Sequence, residues 1–253
     1  MKREFPLQKV TVGAVALILT LLAWLIVTMG TSVPMTGVID ALSLTLFVGT
    51  WGVGMVAMML PSVLPMIIAI VAGTRPNIRG DTEEKASSVL YRSLAPIQFV
   101  LGYIGIWSVV GVAFYLALVL LFRFYPPFSN TGQLAGIAAG GTVFLAGLYQ
   151  LSPLKQRALR ACRSPMAFIM TKWRPGRLGR FLMGTEYGFF CTKCCWAFMA
   201  VLVAVGAMNL LWMVLFAAVI FVEKVTPRGA TVSKGLGILL MTAGVILALT
   251  STS

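Results

Sequence analysis

The chain has 253 residues, 59% of them hydrophobic and 11% charged, with a mean hydropathy of +0.94, whereas an ordinary soluble domain is about a quarter charged. That composition excludes a soluble globular protein. Twenty Lys and Arg against seven Asp and Glu give a net charge of +13, which raises nucleic acid as a partner until the cations are placed along the chain.

A window of about 19 residues, matched to the hydrocarbon core of a bilayer, predicts seven apolar spans at residues 10–29, 42–71, 94–121, 134–149, 187–205, 210–222 and 236–249. The second and third are long enough to tilt, and the fourth, sixth and seventh are short. The amino-terminal segment carries Lys2, Arg3 and Lys9, and the second loop Arg75, Arg79, Lys85 and Arg92. The fourth loop carries Lys155, Arg157, Arg160, Arg163, Lys172, Arg174, Arg177 and Arg180, and the sixth Lys224, Arg228 and Lys234. Those are 18 of the 20 cations; Arg123 alone lies in an alternate loop, and Lys193 sits near the start of the fifth span. Basic loops stay on the cytoplasmic side during insertion. The expectation is therefore an all-α, polytopic transmembrane helix bundle forming one membrane domain over residues 1–253, with its amino terminus cytoplasmic and its carboxyl terminus outside. The first apolar run exceeds the roughly 7–15 residues of a signal-peptide core, so it reads as a retained anchor. The charge becomes a topology signal: the bilayer and its anionic head groups are the expected partners, and nucleic acid is not.

Along the chain, the second span carries Met55, Met58, Met59, Ser62 and Met66, which share one face at 100° per residue, with Pro61 and Pro65 between them. Two prolines four apart free backbone carbonyls that lipid cannot satisfy, so this region is expected to kink toward protein or a cavity. Gly102 and Gly105 thin one face of the third span, and Gly136 and Gly140 form a GxxxG in the fourth; both read as helix-packing surfaces. Residues 151–186 form a basic loop in which Met166, Phe168, Ile169, Met170 and Trp173 interleave with cations, a pattern suited to the inner interface or to docking a cytosolic partner.

All four cysteines follow within a short stretch: Cys162 in the basic loop, then Cys191, Cys194 and Cys195 opening the fifth span. On a helix these last three fall within an arc of about 100°, with Cβ atoms about 5–6 Å apart. An inner-leaflet position keeps them reduced. Thiolate and thioether donors select Cu(I) or another thiophilic ion such as Hg(II) or As(III), and the chain has no His. Counted from Glu186, Cys191 and Cys195 lie roughly 8 and 14 Å into the fifth span; Met66 and Met59 lie roughly 8 and 18 Å from the inner end of the second. A shared sulfur site that adds Met199, one turn beyond Cys195, is thus permitted, and Lys193 is a candidate to offset thiolate charge. Glu186 and Glu223 at the inner ends of spans are expected to pair with basic loop residues or relay a proton. Asn209 is expected to bond turn backbone. Without His, a nucleophile elbow or paired carboxylates, hydrolytic chemistry has no support.

Several of these residues together resemble a known family. They are Trp51 to Pro61 with Met55, Met58 and Met59; Pro65 and Met66; Gly147 to Lys155; Cys162 and Pro165; Trp173 and Gly176; Cys191 with Cys194, Cys195 and Trp196; Met208, Asn209, Trp212 and Met213; and Glu223 with Lys224. In this order they resemble the predicted metal-binding integral membrane protein family of bacteria and archaea, a domain of unknown function. The resemblance implies a multi-span protein of the prokaryotic cytoplasmic membrane that binds metal, with the family's Cys-x-x-Cys-Cys-Trp motif on Cys191, Cys194 and Cys195 and its Met-rich motif on Met55, Met58, Met59 and Met66. Ala158 stands where many members carry a further Cys and Tyr187 where they carry His, which favours the helix cluster with its methionines over a loop-centred or His-containing site.

Three functions fit this sequence. In the first, the cysteines bind Cu(I) near the inner leaflet and Met59, Met66 or Met199 share it or pass it on, with a metal-donor protein as partner. The second is an accessory subunit of a larger membrane complex, and the third a membrane thiol oxidoreductase using Cys191 and Cys194.

Overall fold

The structure, a computed structural model, describes residues 4–30, 40–73, 84–124, 132–206 and 209–251. Lys2, Arg3, Arg75, Arg79 and Met208 lie outside the described residues, as do the side chains of Lys9, Lys85 and Arg92. Within these bounds the chain is helical throughout: α1 Glu4–Thr28, α2 Ala41–Gly73, α3 Glu84–Phe124, α4 Gly132–Leu151, α5 Pro153–Arg163, α6 Pro165–Lys172, α7 Gly176–Gly206, α8 Leu210–Val225 and α9 Gly229–Thr250. The all-α expectation is met, and each expected span falls within or nearly within one helix.

Five segments are long and apolar enough to cross a membrane: Val10–Thr28, Ala41–Val71, Leu94–Leu120, Gly176–Ala204 and Gly229–Thr250. The end of α4 and α5, bent by 65° at their junction, form a sixth candidate. With 16 residues, α8 is about 24 Å long, shorter than a hydrocarbon core of about 30 Å.

Local chemistry explains the helix ends that matter for the site. Asp40 starts α2 by accepting from the backbone N–H and the hydroxyl of Ser43, satisfying a donor that the first turn leaves orphaned. The helix then runs unbroken through Pro61 and Pro65. Ala57, whose carbonyl Pro61 leaves without its helical partner, is buried inside the protein. At the α4–α5 junction, Ser152 accepts from the N–H of Lys155 at 3.2 Å, and Pro153 occupies the first helical position, where its missing N–H costs nothing. Asn209 caps α8 by accepting from Leu211 at 3.0 Å and Trp212 at 3.4 Å, in line with its expected turn role.

The stretch read as a basic loop consists of α5, α6 and the first turns of α7. Met166 and Met170 are exposed there, whereas Phe168 packs inward and the side chains of Lys155 and Arg180 are buried. Arg163 donates to the carbonyls of Thr226 and Pro227, both at 2.6 Å, and so ties the end of α5 to the α8–α9 turn.

Packing follows small residues. Ala16, Thr20 and Ala23, spaced as successive turns of α1, are buried where α1 meets α2. A Cβ on Gly102 would fall 2.1 Å from the carbonyl oxygen of Phe181, and one on Gly184 2.0 Å from that of Phe99, so α3 and α7 touch backbone to backbone. Gly105, read alongside Gly102, instead faces open space. The GxxxG of α4 does pack: Gly140 lies against Gly244 and Ala248 of α9, Gly136 against Ser251, and the seam continues through Gly147 and Gly237. This seam yields a pair of opposite predictions. A Cβ at Gly140 would sit 2.7 Å from two backbone atoms of α9, whereas at Gly141 nothing lies within 4 Å. Gly140→Ala should therefore lower the thermal midpoint in detergent, by an overpacking cost of about 1–3 kcal/mol. Gly141→Ala should be neutral or slightly stabilising, by up to about 1 kcal/mol from helix propensity. Equal midpoints for the two variants would contradict the seam.

Candidate functional site

The close approach of α3 and α7 places Tyr103 against the thiols: its hydroxyl lies 3.1 Å from Sγ of Cys191. All four cysteines are buried free thiols. Cys162 lies within interaction range of Cys191 and Cys194, and Cys195 within range of the same two. The cluster thus joins α5 to α7, bringing Cys162 of the basic stretch to the helix thiols. Tyr187, one helical turn before Cys191, closes the other side. Its hydroxyl donates to the carbonyl of Cys162 at 3.1 Å, and its ring meets those of Phe99, Tyr103 and Phe168.

The methionine face of α2 turns inward as its spacing predicts. Met55, Met58, Met59 and Met66 are buried in the core that also holds Cys162, Cys191, Cys194, Cys195 and Met199. Met59 is the one joined to the site's hydrogen bonds, through a cation that the sequence reading placed in a loop. Nζ of Lys224 lies 3.0 Å from Sγ of Cys191, 3.2 Å from Oγ of Ser62 and 3.9 Å from Sδ of Met59. An ammonium has three N–H donors. Here each faces a partner, one on α7 and two on α2. Among the described residues no carboxylate pairs with Lys224.

The neighbouring Glu223 belongs to a second buried group. Its Oε2 pairs with Nζ of Lys155 at 2.8 Å, with both side chains essentially inaccessible. Lys155 also donates to the carbonyl of Cys194 at 2.7 Å, and Oε1 of Glu223 accepts from Nε2 of Gln150 at 3.2 Å. Ser233 of α9 hydrogen-bonds both Gln150 and Gln156, so the network extends from α7 to α9. The 65° bend at Ser152 turns α5 across the bundle, where Lys155 meets α7 and α8. Glu186 pairs with Lys172 at 2.6 Å, closer to the surface. Both acids thus meet basic residues of the 151–186 stretch, the simpler of the two expected roles.

Two sequence expectations take a different form in the structure. Lys193 stacks over the ring of Phe189 at 4.2 Å and does not reach the thiols, because two residues on from Cys191 a helix has turned about 200°. The cation beside the sulfur cluster is Lys224. The depth estimate counted α7 from Glu186, yet the helix begins at Gly176, which leaves the thiols near its middle. Tyr103 and Lys155 went unrecognised as site residues; the only sequence signal was a lysine two residues after a Ser-Pro helix start, on a short amphipathic helix.

Among the described residues no group of three or more His, Cys, Asp or Glu is arranged as a ready metal cage. What the residues offer is soft: four thiols and a thioether around one ammonium, with the nearest carboxylate engaged by Lys155. Hard cations want several oxygen ligands, whereas sulfur donors suit Cu(I). These features define a class: a chain whose described residues are helical, with several helices apolar enough to cross a membrane and a buried sulfur-rich cluster in their core. The sequence matches the family described as the copper chaperone PpoB2 over residues 48–247, most of the chain, and the protein belongs to that family. The match supports a copper-related family, where the motifs implied a metal-binding one, and its bounds take in every candidate sulfur ligand. No curated protein and no solved structure matches the chain.

The Lys155–Glu223 pair generates a double-variant prediction. Lys155→Met alone leaves a buried carboxylate unpaired and should destabilise by about 3–5 kcal/mol, while Lys155→Met with Glu223→Leu should recover most of that loss. Denaturation of the detergent-solubilised protein reads both; equal losses in the single and double variants would argue against the pair.

Proposed function

We propose that the protein is an integral membrane copper chaperone that holds Cu(I) through Cys191, Cys194 and Cys195, with Cys162 and Met59 completing the donor set. The observation that carries this reading is the convergence of every cysteine in the chain, from two separate helices, in one buried cluster that also holds a methionine sulfur. Thioethers bind Cu(I) more loosely than thiolates, so Met55, Met58, Met66 and Met199 in the same core give the ion weaker stations beside the thiol cluster. The family's copper chaperone description supports the cargo.

Seven spans with a cytoplasmic amino terminus are the arrangement we propose in the bilayer of a prokaryotic cytoplasmic membrane. It is supported by the cation distribution and by the five apolar helices with the bent α4–α5 pair; α8 then crosses where the bilayer thins locally or its flanking side chains snorkel. The exposed Met166, Met170 and Trp173 lie with the anionic head groups at the inner face, where a copper-donor protein would also approach. A thiol oxidoreductase is less well supported, since exchange needs an accessible thiolate and each cysteine is at most 4% exposed.

Anaerobic purification with metal analysis tests the reading. The wild-type protein should carry close to one copper per chain after Cu(I) loading, and the Cys191→Ser, Cys194→Ser, Cys195→Ser triple variant close to none. Equal copper in the two proteins would end the proposal.

A further inference from the structure

Lys224 has no role in the copper reading, yet its ammonium sits where that reading needs the metal. Its surroundings are unusual for a buried cation. It is 5% exposed, and among the described residues its partners are Cys191, Met59 and Ser62, with no carboxylate. A buried positive charge is normally paired with an acid, because leaving water costs several kcal/mol per ion. Here the acid next in sequence, Glu223, is committed to Lys155 at 2.8 Å. The pocket therefore accommodates one positive charge among soft donors, the same charge and the same donors that a Cu(I) ion would use.

Resting on the copper reading above, we propose that Lys224 is a resident placeholder cation: its ammonium fills the metal position in the empty protein, and a soft monovalent cation, Cu(I) or Ag(I), enters by displacing it. Loading breaks the three N–H contacts to Cys191, Ser62 and Met59 and forms metal–sulfur bonds at Cys191 and its neighbours. The metal keeps its oxidation state, and a proton lost from a thiol on coordination leaves to solvent. One cation replaces another, and each thiol that gives up its proton on coordination lowers the buried charge by one. Lys224 is placed for such a withdrawal: it is next to the last residue of α8, beside the α8–α9 turn, on a flexible four-carbon stem. Release runs the same exchange backwards, the ammonium returning as copper departs, so the pocket is never left with unpaired sulfur ligands.

The test compares wild-type protein, the Lys224→Leu variant and the Cys191→Ser, Cys194→Ser, Cys195→Ser triple variant in detergent, by competition with a chromogenic Cu(I) chelator. Apparent affinity is lowered by the fraction of protein whose site is filled by its own lysine, so removing that lysine should tighten Cu(I) binding by about tenfold. A second measurement needs no variant: acylation of Lys224 by an amine-reactive ester, followed by peptide mass analysis. Lys224 should be protected in the metal-free protein and labelled severalfold faster once Ag(I), a redox-inert probe, is bound. Unchanged labelling overturns displacement whatever the affinities, and binding that is equal or weaker in a folded Lys224→Leu protein does so too; in either case the copper site itself stands if the triple variant has lost it. Failure of both wild-type and Lys224→Leu proteins to exceed the triple variant would instead overturn the copper reading, and displacement with it.

Discussion

The structure depends on burying two ammonium groups and one carboxylate inside an apolar helix bundle. Charge in such a place must be met by fixed partners, because neither lipid nor packed side chains can reorganise around it as water does. The partners come from helices far apart in sequence: Glu223 and the Cys194 carbonyl meet Lys155, while Cys191, Ser62 and Met59 meet Lys224. These contacts fix how α2, α5, α7 and α8 stand relative to one another more stringently than hydrophobic packing could. Apolar surfaces slide with little cost, but a buried ion pair that slips by a few ångströms loses its compensation.

Adjacent residues serve the two centres. Glu223 faces the Lys155 network and Lys224 faces the sulfur cluster, so the last turn of α8 divides its charges between neighbouring pockets. The Cys194 carbonyl belongs to one centre and its thiol to the other. The sulfur donors thus rest on a polar frame that is itself closed by Gln150, Gln156 and Ser233. Glycines make this possible by letting α3 reach α7 and α9 reach α4 at backbone distance, which brings Tyr103 within hydrogen-bonding range of Cys191 and Ser233 within range of Gln150.

Much of this was legible in the sequence because it rests on local periodicity. The apolar windows fell on helices, the methionine face of α2 turned inward, and Cys191, Cys194 and Cys195 shared a face, all consequences of a repeat of 3.6 residues per turn. The Gly136 and Gly140 contact was legible for the same reason. What escaped was tertiary. Lys155 and Lys224 counted as loop cations, since an apolar window ends at a charge and has no means of showing that the charge folds back inside. Lys193, close to the thiols in sequence, looked the better counter-ion, yet helix rotation carries it away while Lys224 arrives from 33 residues beyond Cys191. The position of Cys162 beside Cys191 and Cys194 depends on the bend at Ser152, whose Ser-Pro signature marks a helix start without fixing the direction in which the new helix points.

The turn that Arg163 holds at Thr226 and Pro227 bears on the order in which the protein is made. Synthesis proceeds from the amino terminus, so the four thiols are made before Glu223 and Lys224. During that interval Lys155 has no acid and Cys191 has no ammonium. The sulfur pocket is completed only when α8 joins the helices already in place, and Arg163, waiting at the end of α5, is the group that fastens the newcomer's far end. A chain ending before residue 223 would lack both Glu223 and Lys224, leaving Lys155 without its acid and Cys191 without its ammonium.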